Sequence, residues 1–298
     1  AILSISLIFS CSSSENESSK EIEAVSSDEF ISYKLNEGVP KVKWSDLIDK
    51  IEITRLEETE ETLLSYVRDV HVTDKDEVVF VSGSESNIYT FSPTGEFVFS
   101  MNRNGQGPEE YDGMQDYWLE GDTVAIYSRG RYIKRYSLDG DFISSTDMKY
   151  RAGHMLPFAD GFALDMFFSV VDDSLFCNVL ILDKEMQRGE MLMQSEQPKG
   201  FNIFTSNNSL ARYKRSFLYQ RVMSDTVYIY SDEQMKPMIH FDFGMDWFLR
   251  GRDNVNGEGL DNMFNSEKFW NQSSKISPDY AYVAGWRGKG DQRKFVIE

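Results

Sequence analysis

Along most of the chain, short runs rich in Val, Ile, Tyr and Phe alternate with turn-forming clusters every eight to twelve residues. That spacing predicts strands rather than helices, and many short strands between Gly, Pro, Asn, Asp and Ser clusters mark an all-β domain. The runs also repeat. Ile88-Tyr89-Thr90-Phe91-Ser92-Pro93-Thr94-Gly95-Glu96-Phe97-Val98 is answered by Ile133-Lys134-Arg135-Tyr136-Ser137-Leu138-Asp139-Gly140-Asp141-Phe142-Ile143, an offset of 133 − 88 = 45. Each copy predicts a hairpin, with Pro93 fixing φ early in its turn and Gly95 or Gly140 free to take positive φ. A fainter third copy, Leu180-Ile181-Leu182-Asp183-Lys184-Glu185-Met186, has lost the glycine.

Two strand-like runs precede each hairpin: residues 67–73 and 77–82, then 115–119 and 122–128, then 153–157 and 160–166. A fourth unit runs from Phe217-Leu218-Tyr219 through residues 226–230 to 238–241. Four strands at this period predict β-propeller blades. One blade cannot cover both its apolar faces, so neighbours stack and fill their interfaces with large side chains; the 14% aromatic share fits that need. Residues 66–275 hold four such units, and 276–298 begin a fifth with Tyr280-Ala281-Tyr282-Val283-Ala284. Residues 50–57 are expected to be the closing strand of the last blade. On this arithmetic the sequence is a propeller over residues 30–298, clipped at both ends and about one and a half blades short of a ring.

The first residues follow another pattern. Residues 1–11 are an uncharged apolar run ending in Ser10-Cys11, without the Met and basic region that open a signal peptide. Leu7-Ile8-Phe9-Ser10-Cys11 resembles a bacterial lipobox, whose cysteine carries the lipid, although Phe9 is bulkier than usual there. The other reading is a buried strand with an incidental cysteine. Residues 12–29 favour the lipobox: seven serines, six acids and one lysine make a solvated tether of the kind an anchor at Cys11 needs.

Composition narrows the function. The chain has 298 residues with 31 basic and 49 acidic side chains, a net charge of 31 − 49 = −18, which argues against nucleic acid as a partner. No run reaches the 18 or more apolar residues of a spanning helix. Two cysteines, Cys11 and Cys177, make neither a disulfide framework nor a structural zinc site.

Three ordered motifs carry a family resemblance. Residues 53–64 (ITRLEETEETLL) are similar to the opening strand of the six-bladed β-propeller lipoproteins of Bacteroidota, NHL- and TolB-like in fold. Asn104-Gly105-Gln106-Gly107-Pro108-Glu109-Glu110-Tyr111 resembles that family's G-x-G-P-x-E-Y loop between the first two blades. Ser224-Asp225-Thr226-Val227-Tyr228, Lys236-Pro237 and Phe241-Asp242-Phe243-Gly244 match a third segment. The resemblance implies a six-bladed, lipid-anchored, exported propeller of undetermined biochemical role.

Candidate chemistry is sparse. The sequence holds no nucleophile elbow, zincin helix or phosphate-binding loop. His71, His154 and His240 are too scattered for a ligand cluster. The Gly105–Tyr111 loop reads as a tight interblade turn, stiffened by Pro108 and anchored by Tyr111; the rival reading is that its amides and Arg103 line a ligand site. Arg129 and Arg131, in the turn between the second and third strands of the second blade, are candidate contacts for an anionic ligand on the same face; the other reading is a solvated turn. Asp69 and Asp116 start inner strands, where carboxylates suit calcium or magnesium but equally accept hydrogen bonds from turn amides. Residues 253–259 are oxygen-rich but fit no EF-hand frame. Trp247, Phe248, Phe264, Phe269 and Trp270 mark an aromatic excursion over residues 245–275 that either stacks on a sugar or docks on its blade. Cys177 reads as a small buried hydrophobe.

The expectation is a non-enzymatic binding module in the cell envelope: an outer-membrane lipoprotein facing periplasm or surface, held by its lipid anchor. Its ligand is a glycan, peptide or partner protein, with no cofactor required. The alternative is a hydrolase or lyase using a divalent cation such as calcium at the channel mouth.

Overall fold

The computed structural model describes residues 30–35, 48–83, 86–166, 169–172, 175–195, 209–221, 223–251, 257–277, 280–288 and 291–297. Cys11, the tether of residues 12–29 and most of the oxygen-rich loop at 253–259 lie outside the described residues. The chain divides into two compact units, which for the described residues are 48–149 and 30–35 with 150–297. Strand β1 (Ile31–Lys34) belongs to the second.

The first unit is two four-stranded antiparallel meanders. One contains β2 (Val67–Val72), β3 (Val78–Ser82), β4 (Asn87–Phe91) and β5 (Phe97–Met101). The other contains β6 (Met114–Glu120), β7 (Thr123–Ser128), β8 (Tyr132–Ser137) and β9 (Phe142–Asp147). The inner pair of each sheet is largely buried, with mostly apolar runs in β3, β4 and β7, whereas β8 carries Lys134 among its buried positions. The outermost strand alternates, as β9 does with every second residue exposed. Val79, Val81, Ile88 and Met101 of the first sheet pack with Tyr117, Val124, Ile126 and Tyr136 of the second. The other face of the first sheet, at Phe80, Tyr89 and Phe91, is covered by Leu56 and Leu64.

Leu56 belongs to the segment expected to close the last blade, which has no ladder partner among the described residues. Residues 50–57 form no strand; the segment lies extended beside the β4–β5 turn, where the Glu57 amide donates to the Gly95 carbonyl (2.7 Å). The Glu57 carboxylate accepts from the Phe97 amide (2.8 Å). A single strand-like contact at a hairpin tip cannot propagate a ladder, and the apolar residues serve as a cover instead.

The repeat is sharpest in its turns. In residues 92–96 the Gly95 amide donates to the Ser92 carbonyl, the Ser92 amide to the Glu96 carbonyl (both 2.9 Å), and the Glu96 amide to the Ser92 hydroxyl (3.1 Å). Residues 137–141 repeat the three bonds around Gly140 and Ser137. Residues 183–187 repeat them with the Asp183 carboxylate in place of the serine. This is a type I turn closed by a left-handed residue, with φ of 88° at Gly95, 82° at Gly140 and 60° at Met186. The third copy thus keeps the geometry that its lost glycine made easy.

In the second unit, β10 (His154–Phe158), β11 (Gly161–Asp165), β12 (Val170–Asp172), β13 (Leu175–Leu182) and β14 (Arg188–Ser195) form one sheet. Next come β15 (Leu210–Tyr213), β16 (Ser216–Tyr219), β17 (Thr226–Ser231) and β18 (Gln234–Asp242). Here β1 returns from the N-terminal side to pair with β18 in parallel, Ile31 opposite Ile239. A short 3₁₀ turn at Gly244–Asp246 and helix α1 (Gly257–Asn265) precede β19 (Phe269–Ile276), β20 (Ala281–Arg287) and β21 (Asp291–Ile297). The fifth sheet therefore begins at Phe269, not at 276; residues 269–275, read above as part of the aromatic excursion, are its first strand. The misreading came from β19 itself, whose Asn271-Gln272-Ser273-Ser274-Lys275 run is polar for a strand. Asn271 and Gln272 are buried because they bond the preceding sheet's loop: Asn271 Oδ1 accepts from the Met223 amide (3.2 Å) and Gln272 Nε2 donates to the Ser224 carbonyl (3.1 Å).

Candidate ligand-binding site

Within the first unit, the loop between β5 and β6 and the β7–β8 turn enclose a cavity of about 330 Å³, near the lower end for small-molecule sites. Residues 105–108, Glu110 and Asp112 form one side, and Ser128, Arg129, Tyr132, Lys134 and Ser145 the other.

The G-x-G-P-x-E-Y residues explain the loop's shape. Glu110 folds back so that Oε2 accepts the Gly107 amide (2.7 Å). A Cβ at Gly105 would lie 2.0 Å from that oxygen, so the glycine makes room for the carboxylate. Tyr111 is fully buried and its hydroxyl donates to the Ser86 carbonyl (2.9 Å). Burial pushes its phenol up to about 12. From β8, Tyr136 donates to the Glu109 carbonyl (2.9 Å) and Lys134 Nζ to the Pro108 carbonyl (2.5 Å). The Ser128 hydroxyl donates to the Asp112 carbonyl (2.6 Å), and the Arg129 guanidinium pairs with the Asp112 carboxylate. A loop tied at this many points is preorganised and needs little ordering to receive a ligand.

Lys134 is 8% exposed. Desolvation lowers its pKa, and the nearby Glu110 charge opposes that shift. Its position in the 45-residue repeat is that of Tyr89, so a lysine replacing a buried aromatic was the available signal. Tyr132 and Asp112 carried no comparable mark.

The sequence candidates separate. Arg129 lines the cavity. Arg131 does not; its guanidinium makes a two-pronged bond to Asp147 (2.6 and 2.8 Å) and packs over the Tyr132 ring. Arg103 contributes its carbonyl, which accepts the Tyr111 amide (2.9 Å), while its side chain is exposed outside the lining. Asp69 lies in a bulge of β2, paired with Arg68, and its carbonyl accepts the Tyr117 hydroxyl. Asp116 is paired in the ladder opposite Tyr127. Among the described residues no three His, Cys, Asp or Glu side chains converge as a metal site would need.

Trp247 is 6% exposed and stacks on Phe243, with ring centroids 5.3 Å apart. Trp270 packs edge-on against Phe264, and its indole N–H donates to the Gly288 carbonyl (3.0 Å). Both rings pack into or against the cluster that includes Phe241, Met263 and Val283, which is the docking arrangement. Cys177 is buried, and desolvation raises its thiol to about 11. His240 sits apart at the β1–β18 seam, where Ser32 Oγ is 3.0 Å from Nδ1 and Asp225 is 3.4 Å from Nε2.

Successive antiparallel sheets of mostly four or five strands, each following the last along the chain, define the class: a β-propeller domain. No curated protein matches the chain. It belongs to the family described as Domain of unknown function (DUF4934), which matches residues 30–298. Among solved structures it is similar to a protein of Bacteroides fragilis NCTC 9343 described as exported, at 15% identity over 90% of this chain and 80% of that one, with a TM-score of 0.70. It is also similar to a protein of unknown function from Bacteroides caccae, at 12% identity over 78% of this chain and 77% of that one, with a TM-score of 0.42. The first likeness shows that the two chains share a fold.

Proposed function

We propose that the protein is an exported, lipid-anchored propeller of the six-bladed type, acting as a non-enzymatic binding module for a glycan, peptide or partner protein in the cell envelope. The observation that carries this reading is the preorganised cavity: a motif loop held by Lys134, Tyr136, Ser128 and Tyr111 beside polar side chains. Loops on rigid sheets are where scaffolds of this kind place binding residues. The anchor rests on the Cys11 context, and export draws support from the B. fragilis likeness.

Thermal-shift titration of the chain against glycan and peptide panels tests the binding role, with mass analysis of each ligand afterwards. A melting shift that disappears in Tyr132→Ala, with the ligand recovered intact, is expected. A new product in the recovered ligand overturns the non-enzymatic assignment. Mass spectrometry of the envelope-extracted protein is expected to find diacylglyceryl on Cys11, and an unmodified thiol there removes the anchor.

A further inference from the structure

The cavity lining carries two cations, Arg129 and Lys134, and two anions, Glu110 and Asp112, so its formal charges cancel. The pairing is local as well as arithmetic. Arg129 is bonded to Asp112, and Lys134 feels the Glu110 charge. An anion entering here must compete with Asp112 for the guanidinium, in the field of a chain whose net charge is −18. A cation must compete with Arg129 for Asp112. A neutral ligand faces neither contest.

What the walls offer such a ligand is donors and acceptors side by side. The carboxylates of Glu110 and Asp112 accept, the Arg129 fork donates, and the hydroxyls of Ser145 and Tyr132 do either. The Tyr132 ring adds an apolar surface, with Arg131 packed 5.5 Å from its centroid. Adjacent hydroxyls on a sugar match a carboxylate's two oxygens, and a pyranose C–H face matches an aromatic ring. Arg129 and Gly130 occupy the two central positions of the β7–β8 turn with φ of 53° and 65°, a turn that favours Asn-Gly. The Arg129 side chain reaches the cavity from this turn, whose backbone a glycine would also suit.

We propose that this cavity binds a neutral saccharide of one or two rings, through Asp112, Glu110 and Arg129, with Tyr132 beneath the sugar face. The proposal rests on the reading that this cavity is the module's binding site.

Saturation-transfer NMR on the chain tests it with maltose, cellobiose, lactose and N-acetylglucosamine. Glucuronate, inorganic phosphate and trialanine serve as comparators. Transfer to at least one neutral sugar is expected, weakened about tenfold or more in Arg129→Gly and in Tyr132→Ala. Arg129→Gly suits the turn, so its melting temperature is expected not to fall and lost binding will not reflect unfolding. Preference for glucuronate, phosphate or trialanine, lost in the same variants, overturns the saccharide assignment and keeps the cavity as the site. Sugar binding undiminished in both variants overturns the cavity. No transfer to any sugar overturns the proposal.

Discussion

The Glu110 carboxylate caps its own loop: Oε2 accepts the Gly107 amide at 2.7 Å and occupies the space that a side chain at Gly105 would need. The two glycines and the acid of the motif therefore form one device. A charge-assisted bond of this kind contributes about 1.5–3 kcal/mol, less where exposed as here. Gly105→Ala and Glu110→Ala are each expected to destabilise by roughly 1–2 kcal/mol. Because Gly105→Ala acts by displacing Glu110, the double variant should be little worse than either single one. Additive losses in denaturant titration would show that the alanine methyl strains the backbone itself.

The hairpin turns make a second prediction with both signs. Gly95 has positive φ, and a Cβ there would meet the Arg55 carbonyl oxygen at 2.2 Å, a backbone atom that cannot swing aside. Gly95→Ala should cost about 2–3 kcal/mol and loosen the cover segment carrying Leu56. Gly140 is milder, since its nearest neighbour is the Phe99 ring at 2.9 Å. Met186 holds the same conformation with a side chain, so Met186→Gly should stabilise by about 1 kcal/mol. The order of melting temperatures, Met186→Gly, wild type, Gly140→Ala, Gly95→Ala, is the readout.

Alkaline pH supplies a third. The Cys177 thiol is raised from 9.0 to about 11 and the Tyr111 phenol from 10.0 to about 12, both chiefly by burial. Each group is neutral when protonated, and the folded state holds the proton more tightly than the unfolded chain. Their contribution is therefore complete below pH 9 and is lost as pH rises towards 11 and 12. For Tyr111, fully buried, the loss is about 2–3 kcal/mol. Melting temperature should be flat from pH 7 to about 9 and then fall, and Tyr111→Phe should flatten the upper part of that slope. A wild-type slope unchanged in Tyr111→Phe would assign the loss to other groups.

What the sequence disclosed followed from how local each signal was. Hairpins with their own turn chemistry, such as Ser92 to Glu96, repeat at a fixed spacing and are visible without any tertiary knowledge. Strand β19 was hidden because Asn271 and Gln272 are buried by partners in the loop around Met223 and Ser224, almost fifty residues away. The cavity was half legible. Its loop announced itself as a motif and Arg129 lay in a recognisable turn, but Lys134 and Asp112 reach the cavity through pairings between strands and loops that only the fold brings together. The aromatic excursion stayed open between two readings for the same reason: a tryptophan that stacks on a ligand and one that stacks on Phe243 look alike in one dimension.

Strand β1 provides the last prediction. It adds a parallel strand to the exposed edge of β18, and the residue after it, Leu35, is 3% exposed within the cluster of Phe241, Trp247 and Val283. Ser32 adds its contact to His240, itself close to Asp225. Four residues of ladder are too few to hold an edge strand alone, so the leucine supplies the grip. Leu35→Ala should cost about 2–4 kcal/mol, and Ser32→Ala about 1 kcal/mol or less. Hydrogen exchange discriminates a lost clasp from general destabilisation. In Leu35→Ala, amides of residues 31–34 and of the β18 edge should exchange much faster, while β15 and β16 keep their protection relative to the global unfolding rate. Uniform acceleration across the whole sheet would mean that β1 is integral to the sheet's folding and not a separable clasp.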